Sequence, residues 1–406
     1  MLFWREATPT ARRALIAASL GWMLDAFDVM LYALVLTSLR SDLAIDAKTA
    51  GGLQSLTLLA SAAGGVMFGI LADRQGRVRA LMLSVLLYSV FTAACGLAQT
   101  AAQLAVFRIF LGLGMGGEWA SGAALVSETW SDRHRGKALG LMQSSWAIGY
   151  ALAAVVNLLV QDVLGFGWRA VFFVGVVPAL YAFWVRRRVE EPALWKQARA
   201  RPARVSLREA IAGPMLRVTV AVTLMNACTM FAWWGFNTWV PSYLRLAPSA
   251  GGIGLSGAAM NFFIIAMQVG MWFGYVTFGF VADHVGRKRT YVTYLVLAAV
   301  FVLLYASTGN PTALFALGPV TAFFATGFFS GFGAVTAELF PTEVRATAQG
   351  FTYNIGRVAS AAAPYVVGGL TESRGFPAAL SVAAAAYALA AVFWVAIPET
   401  KGREIK

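Results

Sequence analysis

The sequence predicts an all-α membrane protein of twelve transmembrane helices, arranged as two pseudo-symmetric halves of six. Three observations lead there. Of 406 residues, 59% are hydrophobic and only 13% charged, with a mean hydropathy of +0.68. A soluble chain carries about 25% charged residues, so this one cannot cover its own surface in water. The apolar residues fall into runs of about 20, the length a helix needs to cross a bilayer core about 30 Å thick. A set of polar loop residues then recurs at one fixed offset.

The runs place spans at 15–39, 52–72, 80–98, 104–127, 138–160, 169–185, 217–240, 258–281, 290–307, 312–337, 348–370 and 377–397. The first holds two acids and lacks a small-residue cleavage site, so it reads as a span and not a signal peptide. Sorting the 32 Lys and Arg residues by loop puts 25 on the side of the N-terminus and five on the other, with Arg108 and Arg357 inside spans. Basic residues collect on the cytoplasmic side. Both termini are therefore expected in the cytoplasm of a bacterial inner (plasma) membrane. The +13 net charge is thus a topology signal and not a nucleic-acid footprint. Arg186, Arg187 and Arg188 add a site for anionic membrane lipid.

The longest polar stretch, 186–216, divides the chain into an N-terminal half (1–185), a basic cytoplasmic central loop and a C-terminal half (217–406). A shift of 210 residues superposes the halves. Phe68, Gly69, Ala72, Asp73, Gly76, Arg77 and Arg79 fall on Phe278, Gly279, Ala282, Asp283, Gly286, Arg287 and Arg289. The same shift takes Glu128, Arg135, Ala138 and Gly140 onto Glu338, Arg345, Ala348 and Gly350. One offset for two separate loops indicates a duplication, and duplicated six-helix halves are a transporter architecture. The repeated charges, Asp73, Arg77, Glu128 and Arg135 with Asp283, Arg287, Glu338 and Arg345, are expected to form a cytoplasmic gate, Glu128 grouping with Arg135 and Glu338 with Arg345.

Charges inside spans are costly and are functional candidates for that reason. Asp25, Asp28, Arg108, Glu118 and Arg357 have no like twin under the shift. Asp25 and Asp28 share one helix face. Two close buried carboxylates do not readily both ionise, which makes either a proton carrier; a purely structural cap is the alternative for Asp25. Arg108 can pair with ionised Asp28 and be released when that acid takes up a proton. Glu118 reads equally as a second proton site or a structural acid. Arg357 can hold a carboxylate through its planar fork, or else reach toward the cytoplasmic surface. Trp233, Trp234, Trp239 and Tyr243 near the end of span seven read as an interface belt. Asn237, Asn354, Tyr353, Gln143 and Gln268 are polar candidates for substrate contact; Asn157 and Asn226 are weaker ones.

Other classes lose ground on the same page. Gly112, Gly114, Gly116 and Gly117 lie inside a span with no Lys-[ST] after them, so they serve helix packing and not phosphate binding. His134 and His284 lie far apart without nearby thiols, so no metal site is expected, and no cofactor. Cys95 and Cys228 read as buried thiols. No loop clusters the acids, histidines or nucleophiles of an enzyme.

The loop at Gly69, Asp73, Arg74, Gly76 and Arg77, repeated at Gly279, Asp283, Gly286 and Arg287 with His284 replacing the basic residue, resembles the signature of the major facilitator superfamily. The resemblance covers the whole chain and implies twelve helices about a central cavity with alternating access. Gly21 to Thr37 resembles the sialate:proton symporters, a group that includes lactate and pyruvate carriers. Gly116 to Trp119 is similar to that group and to metabolite:proton and aromatic-acid:proton symporters. The runs at Glu190 and Pro398 are similar to those of sugar porters, whose first-helix proton-site aspartate matches Asp28. The resemblance also supports Arg108, since a proton-linked arginine is a feature of the fourth helix. It implies a monomer that moves a small-molecule organic anion (a monocarboxylate, aromatic acid or acidic sugar) inward with a proton. The alternative is a neutral-sugar symporter, and export ranks below both.

Overall fold

The computed structural model describes residues 4, 6–191, 215–340 and 342–401, and some helical side chains within these ranges lie outside the described set. The helices are α1 (Pro9–Asp42), α2 (Ala47–Gln75), α3 (Arg77–Cys95), α4 (Ala101–Thr129), α5 (Asp132–Asn157), α6 (Trp168–Val174) and α7 (Val177–Arg188). After the central segment come α8 (Met215–Arg245), α9 (Gly257–Val285), α10 (Arg287–Ser307), α11 (Pro311–Gly327), α12 (Phe332–Leu339), α13 (Thr342–Ser360) and α14 (Ala362–Phe393). No strand occurs among the described residues.

Among the described residues ten helices are long and apolar enough to cross a membrane, and Trp168–Tyr181 is a shorter apolar one. One of the ten, Phe351–Phe393, runs 43 residues, twice what a crossing needs. It bends at Gly375 (φ 79°), with Pro377 just beyond, so it carries spans eleven and twelve. That bend brings the total to the twelve spans expected. Two expected spans are interrupted. Span six breaks at Gly175 between α6 and α7, where Pro178 cannot supply an amide hydrogen. Span ten passes through a 3₁₀ segment, Phe328–Gly331, between α11 and α12.

Helix starts follow local chemistry. The side chains of Thr8, Asp46, Thr100 and Asn310 accept from the amides of Ala11, Thr49, Gln103 and Thr312 at 3.1, 2.7, 3.2 and 2.9 Å. Pro9 and Pro311 follow two of these caps, where no amide hydrogen is needed.

The chain forms two compact units. One is Met1–Pro202 with Leu255–Ile265; the other is Ala203–Gly254 with Ala266–Lys406. The first turns of α9 thus group with the first unit, through a buried amide cluster. Asn157 donates to Asn261 at 3.1 Å, Gln161 donates to Asn157 at 2.5 Å, and Asn261 donates to Asp162 at 3.0 Å. Asp162 lies in a six-residue π-helical stretch, Leu158–Val163, that continues α5.

Within each unit the same close approach recurs at the 210 offset. A Cβ on Gly64 would strike the Leu113 carbonyl, and one on Gly274 the Phe323 carbonyl. Gly112, Gly116 and Gly117 likewise admit α2 against α4, and Gly114 admits α3. The glycine run of α4 is therefore a packing surface. Cys95 and Cys228 are both free thiols.

Candidate functional site

In the first unit α1 is buried along most of its length, and Asp25 and Asp28 are 1% and 2% exposed. Thr92 on α3 lies with its hydroxyl oxygen 3.1 Å from Asp28 Oδ2 and 2.9 Å from the carbonyl of Tyr88. Arg108 on α4 is fully buried and engages α2. Its Nε donates to the Leu53 carbonyl at 3.3 Å, an Nη donates to Gln54, and the guanidinium carbon lies 3.7 Å from the ring centroid of Tyr32. Tyr32 in turn donates to the Ala50 carbonyl at 2.7 Å. In this state Arg108 is therefore not hydrogen-bonded to Asp28: an amide, a carbonyl and an aromatic face occupy it. Glu118, also buried, sits where Gly21 leaves room for its carboxylate. Gln143 is half-buried on α5.

In the second unit Arg357 on α13 is 4% exposed, with its guanidinium carbon 5.8 Å from the Tyr353 ring centroid. That burial argues against a side chain reaching for the surface. Asn226 donates to the Thr352 carbonyl at 3.1 Å and packs where Gly356 has no side chain, which fixes the register of α13 on α8. Tyr353 and Asn354 are half-buried, and the Tyr353 ring lies 5.9 Å from Phe332. Asn237 donates to the Trp233 carbonyl at 3.0 Å one turn back. Gln268 on α9 is buried, and its side-chain oxygen accepts no hydrogen bond among the described residues.

The interface-belt reading of the span-seven aromatics is corrected. Trp233, Trp234, Trp239 and Tyr243 are all buried. Trp239 donates to the Pro364 carbonyl at 3.0 Å, Tyr243 to the Thr308 carbonyl at 3.2 Å, and Trp233 meets Phe329 edge-on at 6.5 Å. Backbone carbonyls elsewhere in the unit thus satisfy the polar atoms of Trp239 and Tyr243, which a belt would leave to headgroups.

The repeated loops form one arrangement twice. Arg77 donates to Glu128 from Nε at 3.2 Å and Nη2 at 2.9 Å. Arg287 donates to Glu338 at 3.4 and 3.1 Å and also to Asp283. The expected grouping of Glu128 with Arg135 and of Glu338 with Arg345 falls on arginine side chains that lie outside the described residues, as does that of Asp73. Gly76 and Gly286 turn the chain at φ 114° and 116°, where only glycine is at ease. Each following helix is then capped from far along the chain. Glu191 accepts from the amides of Arg77, Val78 and Arg79 at 2.7, 3.0 and 3.3 Å. Glu399 accepts from Arg287 and Lys288 at 2.9 and 3.2 Å, and Thr400 donates to Glu338 at 2.5 Å. Burial raises the Glu191 carboxyl above its ordinary range, against the pull of the three amides. Burial acts the same way on Glu399, but the amides of Lys401, Arg287, Thr400 and Lys288 outweigh it and hold that carboxyl low.

Glu191, Glu399, Thr400, Thr92, Gln54 and Tyr32 escaped sequence reasoning. The signal for the two caps was the pair of acidic runs at Glu190 and Pro398, each just past a half's last span. The other four are ordinary residues for a membrane helix. No group of residues suited to holding a metal occurs among the described residues.

The sequence profile of the Major Facilitator Superfamily matches residues 18–277 and 246–406. The chain is 34% identical over 412 residues to a probable 4-methylmuconolactone transporter of Cupriavidus pinatubonensis, covering 100% of this chain and 95% of that one. It is 30% identical over 397 residues to the cis,cis-muconate transport protein of Acinetobacter baylyi, covering 96% and 94%. Its fold is similar to that of the E. coli xylose transporter in a partially occluded inward-open conformation, with a TM-score of 0.78 at 18% identity over 98% and 100% of the two chains. Duplicated helices, repeated charged loops and these likenesses agree: the chain is an integral membrane transporter and belongs to the Major Facilitator Superfamily.

Proposed function

We propose that the protein imports a small organic anion together with a proton, as a monomer in the bacterial inner membrane with both termini cytoplasmic. The observation that carries this reading is Arg357, a full positive charge buried within a span and laid against an aromatic ring. A buried guanidinium in an apolar surround favours a ligand that brings a carboxylate. Asn237, Asn354, Tyr353, Gln143 and Gln268 supply polar contacts to the rest of the substrate. An anion entering a negative-inside cell moves against the membrane potential, and a co-transported proton offsets that cost. Asp28 carries the proton, and Asp25, Glu118 and Arg108 tune it. The relatives' organic-acid cargoes support an unsaturated or aromatic carboxylate. The paired loops at Arg77 and Arg287 serve as the gate.

The test is flux into proteoliposomes holding a pH-sensitive dye, with cis,cis-muconate, benzoate, glucuronate and xylose offered in turn. A carboxylate should acidify the lumen and xylose should not. Asp28→Asn should abolish accumulation yet spare exchange. Arg357→Ala should raise the KM about tenfold to a hundredfold, the size of a lost charge-assisted hydrogen bond. Acidification by xylose alone would sink the anion reading, and accumulation surviving in Asp28→Asn would sink the proton assignment.

A further inference from the structure

Thr92 has one hydroxyl hydrogen and two acceptors within reach. The side chain is fully buried. Its oxygen lies 2.9 Å from the Tyr88 carbonyl and 3.1 Å from Asp28 Oδ2, and Asp28 Oδ1 accepts from nothing among the described residues. The hydroxyl therefore cannot serve both acceptors at once. The rest of the side chain is fixed: its methyl fills the space that Gly175 leaves by having no Cβ. Only the hydroxyl hydrogen is free to turn.

The two protonation states of Asp28 demand opposite settings of that hydrogen. Ionised Asp28 needs a donor, and a hydrogen bond to a charged acceptor is the stronger of the two on offer. Thr92 then gives its hydrogen to the carboxylate and leaves the Tyr88 carbonyl with its helical bond. Protonated Asp28 is itself a donor; it gives its hydrogen to the Thr92 oxygen, and the Thr92 hydrogen returns to Tyr88. The proton count balances in both settings, and no atom beyond the hydrogen has to move.

We infer that Thr92 is a positioning residue for proton coupling, a hydroxyl rotor that sets how readily Asp28 releases its proton. This rests on the reading of Asp28 as the proton carrier. The titratable groups within electrostatic reach of Asp28 are Asp25 on α1 itself and Tyr88 and Cys95 on α3. The other helices packed on α1 carry Arg108 and Glu118 on α4, Tyr150 on α5 and Tyr181 on α7. From α2 comes the uncharged Gln54, and α6 contributes Arg169, which is bonded to Asp42 and the Ala98 carbonyl. None of them has its hydroxyl or charge hydrogen-bonded to Asp28.

The experiment follows the carbonyl stretch of protonated Asp28 by infrared spectroscopy across pH, on the full chain in liposomes, with Asp28→Asn assigning the band. Thr92→Val keeps the shape and loses the hydroxyl. Its midpoint should move about one unit to higher pH, the size of a lost hydrogen bond to a charged group. Thr92→Ser keeps the hydroxyl and should hold the wild-type midpoint. Thr92→Ala substitutes if the valine variant does not fold, with the same expected shift. An unmoved midpoint in a band that Asp28→Asn abolishes overturns this inference alone. A serine variant that shifts as far as valine assigns the effect to the methyl and overturns it too. The absence of any Asp28-dependent band removes the proton reading and this inference with it.

Discussion

The charged loop after the second helix of the first half and its counterpart in the second half share one construction, while the interiors of the same halves have diverged. Both loops turn at a glycine with φ near 115°, both pair an arginine with a glutamate 51 residues on, and both cap the following helix with a distant carboxylate. Inside the spans, Asp25, Asp28, Arg108 and Glu118 all belong to the first half, and Arg357 stands in the second. The repeated loop keeps its turn, its ion pair and its cap in both halves. The charges that would recognise a proton and an anion were placed once each.

The comparison can be broken most forcefully at its glycines. Gly76→Ala should cost about 3 kcal/mol and Gly286→Ala about 2 kcal/mol, since both force a side chain into a glycine-only region. The first is worse because the new Cβ would strike the Glu191 carboxylate, while at Gly286 the nearest cap oxygen is 2.8 Å away and belongs to the more exposed Glu399. Thermal unfolding in detergent reads both; equal losses would mean that the caps yield alike.

A smaller effect separates the caps themselves. Glu399 is held low, so its ionised form stabilises the fold. That contribution is present at neutral pH and is lost as pH falls through its folded value. Glu191 is held high by burial, so the fold takes up that proton before the unfolded chain does, and ionisation at neutral pH works against stability. Glu399→Gln should therefore cost about 0.5–1 kcal/mol at pH 7, limited by exposure, and Glu191→Gln less. The gap should close in a pH series of melting temperatures as the pH falls into the carboxylate range. A gap that widens would reverse the assignment.

The smallest difference lies in the ion pairs. Arg77 and Arg287 each direct two nitrogens at a glutamate, at 3.2 and 2.9 Å in the first pair and at a longer 3.4 and 3.1 Å in the second. Double-mutant cycles with Ala should give a coupling of up to about 1 kcal/mol for Arg77–Glu128 and less for Arg287–Glu338, since both pairs are partly exposed. Equal couplings would show that the longer contacts of the second pair carry no energetic cost.

Much of this was legible in the sequence, for physical reasons. Hydrocarbon admits only helices and closed barrels, and runs of about 20 apolar residues fit the helix, so the spans could be counted. The charged loops announced themselves because one offset matched Asp73 to Asp283 and Glu128 to Glu338 together. The partner of each glutamate did not follow from that offset. Arg135 and Arg345 are nearer in sequence, while the ion pairs seen among the described residues run to Arg77 and Arg287. Arg108 was found because a charge in a span is expensive; its resting partners Gln54 and Tyr32 were not, because an amide and a phenol in a span are cheap. The tryptophans were misread for the converse reason: composition near a span end cannot tell a ring facing lipid from one facing another helix.

The two distant caps also bear on how the protein is made. The start of α3 emerges from the ribosome 114 residues ahead of the glutamate that satisfies it, and the start of α10 is 112 residues ahead of its own. During synthesis each of these amide clusters must therefore wait, held by water at the membrane surface, until its whole six-helix set has been translated. Arrival of the carboxylate then signals completion. A half interrupted before that point keeps an open helix end, its first amides left without their carboxylate.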